Sequence, residues 1–373
     1  MQLSFLRPLY ARPGPWASVY LDLTSAPSSL GADRDLRWRE AAAALLEAGA
    51  DPGAITAVAD AVAAHRASPE RRGLALFAVD GEIAWSETMA TPPPATVATW
   101  APLPDVLPLL RQRGEEVAWV RIVADRTGAA LDAGSVGGVT RHTEVTGGEQ
   151  FPIRKVKPGG WSSPRYQRAA EVTWHRNAGD VAAAAADLAQ AVGAEVMVVG
   201  GDVRAVQQLV EQLPARWQAR VVRTEAGSRA PGADRAALDD VTAQAIAEVA
   251  ARHTRAACDA FGHQHGAAGT ADTGLAAAIA ALRRGQVDTL LLAGDSANGT
   301  PLWIGPAPTQ LAATRAEIAQ LGGEAPQQAR ADAAIMRALA CTDAELVLIG
   351  PDDVTPDGDI GVLLRYADLA STR

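Results

Sequence analysis

The stretch FPIRKVKPGGWSSPRYQRAAEVTWHR, residues 151–176, joins a segment that no regular element accepts to one that favours a helix. In Lys155-Val156-Lys157-Pro158-Gly159-Gly160-Trp161, Pro158 removes a backbone donor and pushes Lys157 towards an extended conformation. Gly159 and Gly160 permit positive φ, so the run predicts a loop. From about Pro164 the pattern predicts a long helix reaching Val192. Upstream, Val117–Ala124, Ala129–Ala133 and Val139–Val145 read as three strands joined by glycine-containing turns. Downstream come a strand at Glu195–Val199, a helix at Arg204–Gln212 and a strand at Arg220–Val222. Three strands, helix, strand, helix, strand is an α/β order compatible with a ribonuclease-H-like sheet.

The charge of this stretch runs against the rest of the chain. Arg154, Lys155, Lys157, Arg165, Arg168 and Arg176 face one acid, Glu171, in a protein of formal net charge −9. Lys155 and Lys157 are the only lysines present. A glycine-tipped cationic loop feeding a long helix suits insertion among phosphates. A Pro-Gly-Gly run is also an ordinary turn, and these residues alone leave both readings open.

The 373 residues allow two or three domains, each with its own core, and 48% hydrophobic with 21% charged residues are ordinary globular values. The acidic balance argues against wholesale DNA coating and leaves room for RNA contact through a local basic patch. Cys258 and Cys341 are too few and too far apart for a disulfide framework or a zinc site. The N-terminal MQLSFLRPLYARPGPW lacks an uninterrupted apolar core, and no apolar run approaches the ~18 residues of a membrane span. The expectation is a soluble, cytoplasmic protein.

In the first segment, Ala17–Leu23 predicts a strand, Asp33–Ala48 and Asp51–Ala67 two helices, and Leu74–Val79 with Ile83–Thr88 a hairpin turning at Asp80-Gly81. Asp51-Pro52 matches an N-cap followed by proline at the first helical position. The proline-rich run from Pro92 to Pro108 reads as a connection. Trp16, Trp38, Trp85 and Trp100 read as core or interface anchors; Arg34, Arg37 and Arg39 read as a solvated helix face, with an RNA-facing patch as the alternative. In the last segment a helix at Arg235–Cys258 precedes a glycine-rich loop at Gly262–Gly274. Helices at Leu275–Arg284, Gln310–Leu321 and Ala331–Ala340 then alternate with strands at Val287–Leu292, Pro301–Ile304, Glu345–Ile349 and Val362–Arg365, predicting an α-β-α sandwich. Gly322–Gln328 reads as a solvent loop.

No P-loop, dinucleotide fingerprint, paired-histidine zinc helix or nucleophile elbow is present. His263 and His265 lack a convincing third ligand and read as part of the glycine-rich loop. A ribonuclease-H-like nuclease would place carboxylates at Asp125, Glu171 and Asp202 to hold two metals; a turn, a helix surface and a helix start are their simpler roles. No metal site and no cofactor is implied.

The stretches PGPWASVYLDL, ERRGLALFAVDG, PPPATV, KPGGWSSPRYQ, GLAAAIAALRRGQVDTLLLAGD and GDIGVLLRYA, spread over nearly the whole chain, resemble the bacterial archaeo-eukaryotic release-factor-like family, above all its actinobacterial branch. The resemblance implies three domains: an N-terminal α/β domain at residues 1–113, a ribonuclease-H-like middle domain at 114–228 bearing the Gly-Gly loop, and a C-terminal α-β-α domain at 232–373 similar to a kink-turn-binding ribosomal protein. It implies a tRNA-shaped factor in the ribosomal A site. Release factors of that superfamily carry Gly-Gly-Gln on the middle-domain loop, and here Gly159 and Gly160 are followed by Trp161. Tryptophan supplies one indole donor and no amide. Gln167 falls inside the following helix, and Gly147-Gly148-Glu149-Gln150 has the wrong third residue.

That departure points away from termination, and the chain is similar to ribosome hibernation factors of the Balon type. The resemblance then implies occupancy without catalysis. Arg154, Lys155, Lys157, Pro158, Gly159, Gly160, Trp161, Arg165 and Arg168 would meet rRNA at the A site and peptidyl transferase centre of the 70S ribosome. A translation elongation factor is a further implied partner; DNA and membrane are not. The rival readings are a peptidyl-tRNA hydrolase in ribosome rescue and the nuclease.

Overall fold

The computed structural model describes residues 1–25, 31–65, 71–135, 138–146, 163–230, 232–267, 269–294, 299–322, 325–350, 353 and 356–366, with side chains left out at 163–171 and 266–267. The fold is mixed α/β with four sheets among the described residues. They group into two compact units, Met1–Gly114 with Thr254–Arg373, and Glu115–His253.

The first unit opens with a single helical turn, α1 (Arg7–Tyr10), then β1 (Trp16–Asp22), α2 (Ala32–Glu47), α3 (Pro52–Ala64), β2 (Gly73–Val79), β3 (Glu82–Met89), β4 (Val97–Ala101) and α4 (Leu107–Arg113). The strands form an antiparallel sheet in the order β3-β2-β1-β4. Alternate side chains of β1 serve two cores, as a strand's period of two requires. Ala17, Val19 and Leu21 pack under α2 and α3 with Leu45 and Val58. Trp16 and Tyr20 point the other way, into a second core shared with residues of the last segment such as Leu290 and Ile335. Asp51 caps α3 as its position foretold, accepting from the amides of Gly53 and Ala54. Asp80 and Gly81 both carry positive φ, at 52° and 73°, which gives the β2–β3 hairpin its tight turn.

The proline-rich run expected as a plain connection contains β4, which pairs with β1. Prolines on both sides hid it, and β4 is an edge strand, where flanking prolines cost no ladder bonds. Arg34 and Arg37 are not merely solvated: Arg37 donates to the carbonyls of Asp22 and Thr24 at 3.0 and 2.7 Å, and Arg34 to that of His65 at 2.7 Å.

The last segment supplies β10 (Ala271–Thr273), α9 (Gly274–Arg283), β11 (Val287–Ala293), β12 (Pro301–Ile304), β13 (Leu311–Ala312), α10 (Arg315–Gln320), β14 (Gln327–Arg330), α11 (Ala331–Thr342), β15 (Glu345–Ile349) and β16 (Ile360–Leu364). One sheet runs β10-β16-β11-β15, with β11 and β15 parallel; a small one runs β13-β12-β14. Helix α10 is half the expected length because Thr314, accepting from the Glu317 amide, starts it late. The supposed solvent loop before Arg330 ends in β14, paired with β12. Met1 lies along β15, donating to the Leu346 carbonyl at 2.6 Å and accepting from its amide at 3.0 Å.

The second unit contains β5 (Trp119–Asp125), β6 (Gly128–Ser135), β7 (Gly138–Thr146), α5 (Ser163–Val192), β8 (Val196–Gly201), α6 (Val203–Gln212), α7 (Ala215–Gln218) and β9 (Val221–Arg223). Helix α8 (Ala236–Ala267) contributes residues up to His253 to this unit and the rest to the other. The strand order is β7-β6-β5-β8-β9, antiparallel across β5, β6 and β7 and parallel across β5, β8 and β9. The order of elements is the α/β order read from the sequence, with the short α7 added between α6 and β9. Val120, Ile122 and Ala124 of β5 pack with α5 and α6, while Val117 and Trp119 pack with Leu238, Ala245 and Val249 of α8.

Helix α8 overruns its expected end. It passes through Gly262, so His263 and His265 sit on a helix and not in a loop, and the His265 ring stacks on Phe261 with centroids 5.5 Å apart. A helical glycine costs about 1 kcal/mol, and burial of Cys258 and Phe261 against the β10-β16-β11-β15 sheet of the first unit outweighs it. Among the described residues no helix is long and apolar enough to cross a membrane.

Candidate nucleic-acid interface

The basic loop lies between Thr146, the last residue of β7, and Ser163, the first of α5. Arg154, Lys155, Lys157, Pro158, Gly159, Gly160 and Trp161 fall outside the described residues; Arg165 and Arg168 stand on the first turns of α5 without described side chains. Thr146 pairs with Gly128, the first residue of β6, so the loop leaves beside the β5–β6 turn. Gly128 has φ of 151°, and a Cβ there would run into the Val145 carbonyl oxygen. Among the described side chains of α5 the first buried ones are Asn177 and Ala178, roughly 20 Å along the axis from Ser163 at 1.5 Å per residue. Asn177 ties the helix to the turn by donating to the Arg126 carbonyl at 3.2 Å.

Three arginines converge on this end of the sheet. Arg229 donates to Asp125 at 3.0 Å and to the Thr127 hydroxyl at 3.2 Å. Burial tends to raise the Asp125 carboxyl, but hydrogen bonds from Thr127 and the Arg229 charge outweigh it and hold the group below the usual carboxylate range. Arg126 lies over the Trp174 ring, 4.7 Å from its centroid, with Nη2 3.5 Å from Asp202. Asp202 also caps α6, accepting from the amides of Arg204 and Ala205. Arg204 is exposed, lines the same narrow slot as Arg126 and Trp174, and has no carboxylate partner among the described residues.

The carboxylates considered for a nuclease are therefore already engaged. Asp125 holds Arg229, and Asp202 holds Arg126 and a helix N-terminus. Glu171 has no described side chain. Among the described residues no group of three or more His, Cys, Asp or Glu side chains gathers as a metal site would require. A guanidinium beside each described carboxylate opposes a second cation there.

A buried charge network escaped the sequence reading. Arg121 and Asp132 are paired across β5 and β6, at 2.8 Å, with side chains only 7% and 11% exposed. Asp132 also meets His142 Nδ1 at 2.6 Å, and Arg121 reaches Asp239 of α8. Burial acts against the charge of each, yet the hydrogen bonds prevail: Asp132 is held low by His142 and Arg121, and Arg121 is held high by Asp132 and Asp239. The available signal was a charge at an inward position of each of two successive strands. On the same side, His253 stands between Glu115 at 2.9 Å and Glu195 at 3.0 Å.

Comparison with known proteins gives the lineage of the chain. The family model for bacterial archaeo-eukaryotic release factor family 2 matches residues 118–267. Two uncharacterized proteins of Mycobacterium tuberculosis, one from each of two strains, are each 32% identical over 98% of this chain and 97% of their own length. Among solved structures, a model of ribosome-bound archaeal Pelota and ABCE1 covers 98% of this chain and 94% of its own, at 15% identity and a TM-score of 0.42. An archaeal translation termination factor, aRF1, covers 97% and 96% at 16% identity and a TM-score of 0.25.

Proposed function

The chain belongs to bacterial archaeo-eukaryotic release factor family 2, and from that premise we propose that it is a ribosome-binding factor of translation that occupies the A site without hydrolysing peptidyl-tRNA. The observation that carries the reading is the loop between β7 and α5. It holds both lysines of an acidic chain and follows Gly159-Gly160 with Trp161, where a hydrolytic release factor needs glutamine. The stretch keeps what binding needs, positive charge beside two glycines, and lacks the amide that would position water.

In this reading the loop enters the peptidyl transferase centre. Arg154, Lys155 and Lys157 meet rRNA phosphates, Arg165 and Arg168 extend the contact along α5, and Trp161 stacks on a base. Base stacking on an aromatic ring contributes about 1–3 kcal/mol. Steric occupancy then silences the ribosome, the behaviour of a hibernation factor, with an elongation factor as a second partner. The test is co-sedimentation with vacant 70S ribosomes followed by imaging of the complex. Density for the chain in the A site is expected; absence from the 70S fraction at low salt defeats the proposal.

A further inference from the structure

We propose that the slot at the root of the loop is a second RNA contact, in which an unpaired nucleotide stacks on Arg126 while its phosphate meets Arg204. The inference rests on the ribosome-binding reading but concerns different residues, none of them in the loop. Arg126 is sandwich-ready. Its guanidinium carbon lies over the Trp174 ring, 4.7 Å from the centroid, Asp202 lies 3.5 Å from Nη2, and the side chain stays 45% exposed. Guanidinium planes backed by an aromatic ring are stacking platforms for splayed bases.

The neighbouring residues complete the chemistry. Arg204 shares the slot, is exposed and has no carboxylate partner among the described residues, which leaves its guanidinium for a phosphate oxygen. Gln208, one turn further along α6, adds an amide at the rim. The loop departs beside this slot, because Thr146 is paired with Gly128, two residues after Arg126.

The test uses the full chain and a fluorescein-labelled RNA hairpin with an unpaired loop, against a blunt duplex of the same stem, read by anisotropy over a salt series. Arg204→Gln is expected to weaken hairpin binding roughly tenfold at 0.1 M salt and to reduce the slope of log affinity against log salt by about 0.7 to 1. Trp174→Leu is expected to lower affinity for the hairpin at least about fivefold while leaving the slope and the blunt-duplex affinity unchanged. Arg235→Gln, a control at the start of α8, should change neither. An Arg204→Gln protein with wild-type affinity and slope overturns the inference, as does competition by poly-glutamate equal to that by RNA, which would indicate an acidic protein partner.

Sedimentation of the same variants with 70S ribosomes separates this inference from the ribosome-binding reading. Undiminished 70S binding by the Arg126→Gln, Arg204→Gln pair sinks the slot and leaves the loop in place. Hairpin binding that depends on Arg204 without any 70S binding keeps the slot and sinks the ribosomal reading.

Discussion

Arg121 and Asp132 face each other from neighbouring antiparallel strands, 2.8 Å apart and almost wholly out of solvent, on the face of the sheet that α8 covers. A pair this buried costs desolvation on both sides, and its Coulombic gain offsets that only while both partners are present. Arg121→Ala is therefore expected to destabilise the protein by about 3–5 kcal/mol, since Asp132 loses its main counter-charge. Replacing both, as Arg121→Met with Asp132→Leu, should recover most of the loss. Urea titration followed by tryptophan fluorescence reads the difference. A double variant no more stable than Arg121→Ala would show that the charges cooperate with Asp239 and His142 more than with each other.

The same network sets an acid limit. Asp132 and Asp125 have folded-state values held below the usual carboxylate range. A depressed carboxylate contributes stability that is fully present above its unfolded value and is lost as pH falls through the folded value. Stability from these groups should hold from pH 8 to about 5 and decline below about 4. Calorimetry from pH 7 to 3 checks this, and Asp132→Asn should show a shallower acid decline than wild type. An equal decline in that variant places the acid sensitivity elsewhere.

Asp202 performs two jobs at the loop's root, capping α6 and fixing Arg126. Asp202→Ala is expected to cost about 1 kcal/mol, the usual loss of an N-cap. Asp202→Ser restores the cap but not the ion pair, so its melting temperature should return while the salt dependence of RNA binding stays altered. Loss of melting temperature equal to that of the alanine variant would mean that the cap is not what Asp202 contributes.

Gly128 fixes where the loop begins. A side chain there meets the Val145 carbonyl and must adopt φ of 151°, so Gly128→Ala should destabilise the β6–β7 pair by roughly 2 kcal/mol. It should weaken 70S binding as well, because the loop loses its anchored origin. Hydrogen exchange at the amides of β7 is the direct measurement. Unchanged protection there would indicate that the strands shift at little cost.

Lys155→Glu with Lys157→Glu is expected to lower 70S affinity strongly and to flatten its salt dependence, as loss of phosphate contacts requires. Peptide release from 70S complexes with labelled peptidyl-tRNA in the P site should stay at the uncatalysed rate with the wild-type protein. Trp161 offers only an indole N–H, and no His–carboxylate pair beside Ser162 and Ser163 is evident in the sequence to activate them. Fast release that disappears when Gly159 and Gly160 become alanine would establish a rescue hydrolase instead.

Much of the second unit was legible in advance because its signals are local. Strand alternation, the long helical period of α5 and the Asp202-led start of α6 are each written within a few residues. The same holds for Asp51 before α3 and for Asp80-Gly81 between β2 and β3. Composition singled out the cationic stretch around Lys155 and Lys157, since charge needs no partner to be counted.

Tertiary structure decided whatever depends on residues far apart in the chain. Edge strand β4 exists because β1 offers a free ladder to five residues between prolines. Helix α8 runs past Gly262 because Phe261 finds a core formed by strands still to come. Met1 is placed by Leu346, Arg121 by Asp132 and Asp239, and the slot of Arg126, Trp174 and Arg204 by the register of β5, β6 and β8. Sequence patterns report which face of an element seeks burial, because that preference belongs to each side chain alone. Which charge neutralises which, and which two surfaces share a core, is a property of pairs, and only the folded chain brings the pairs together.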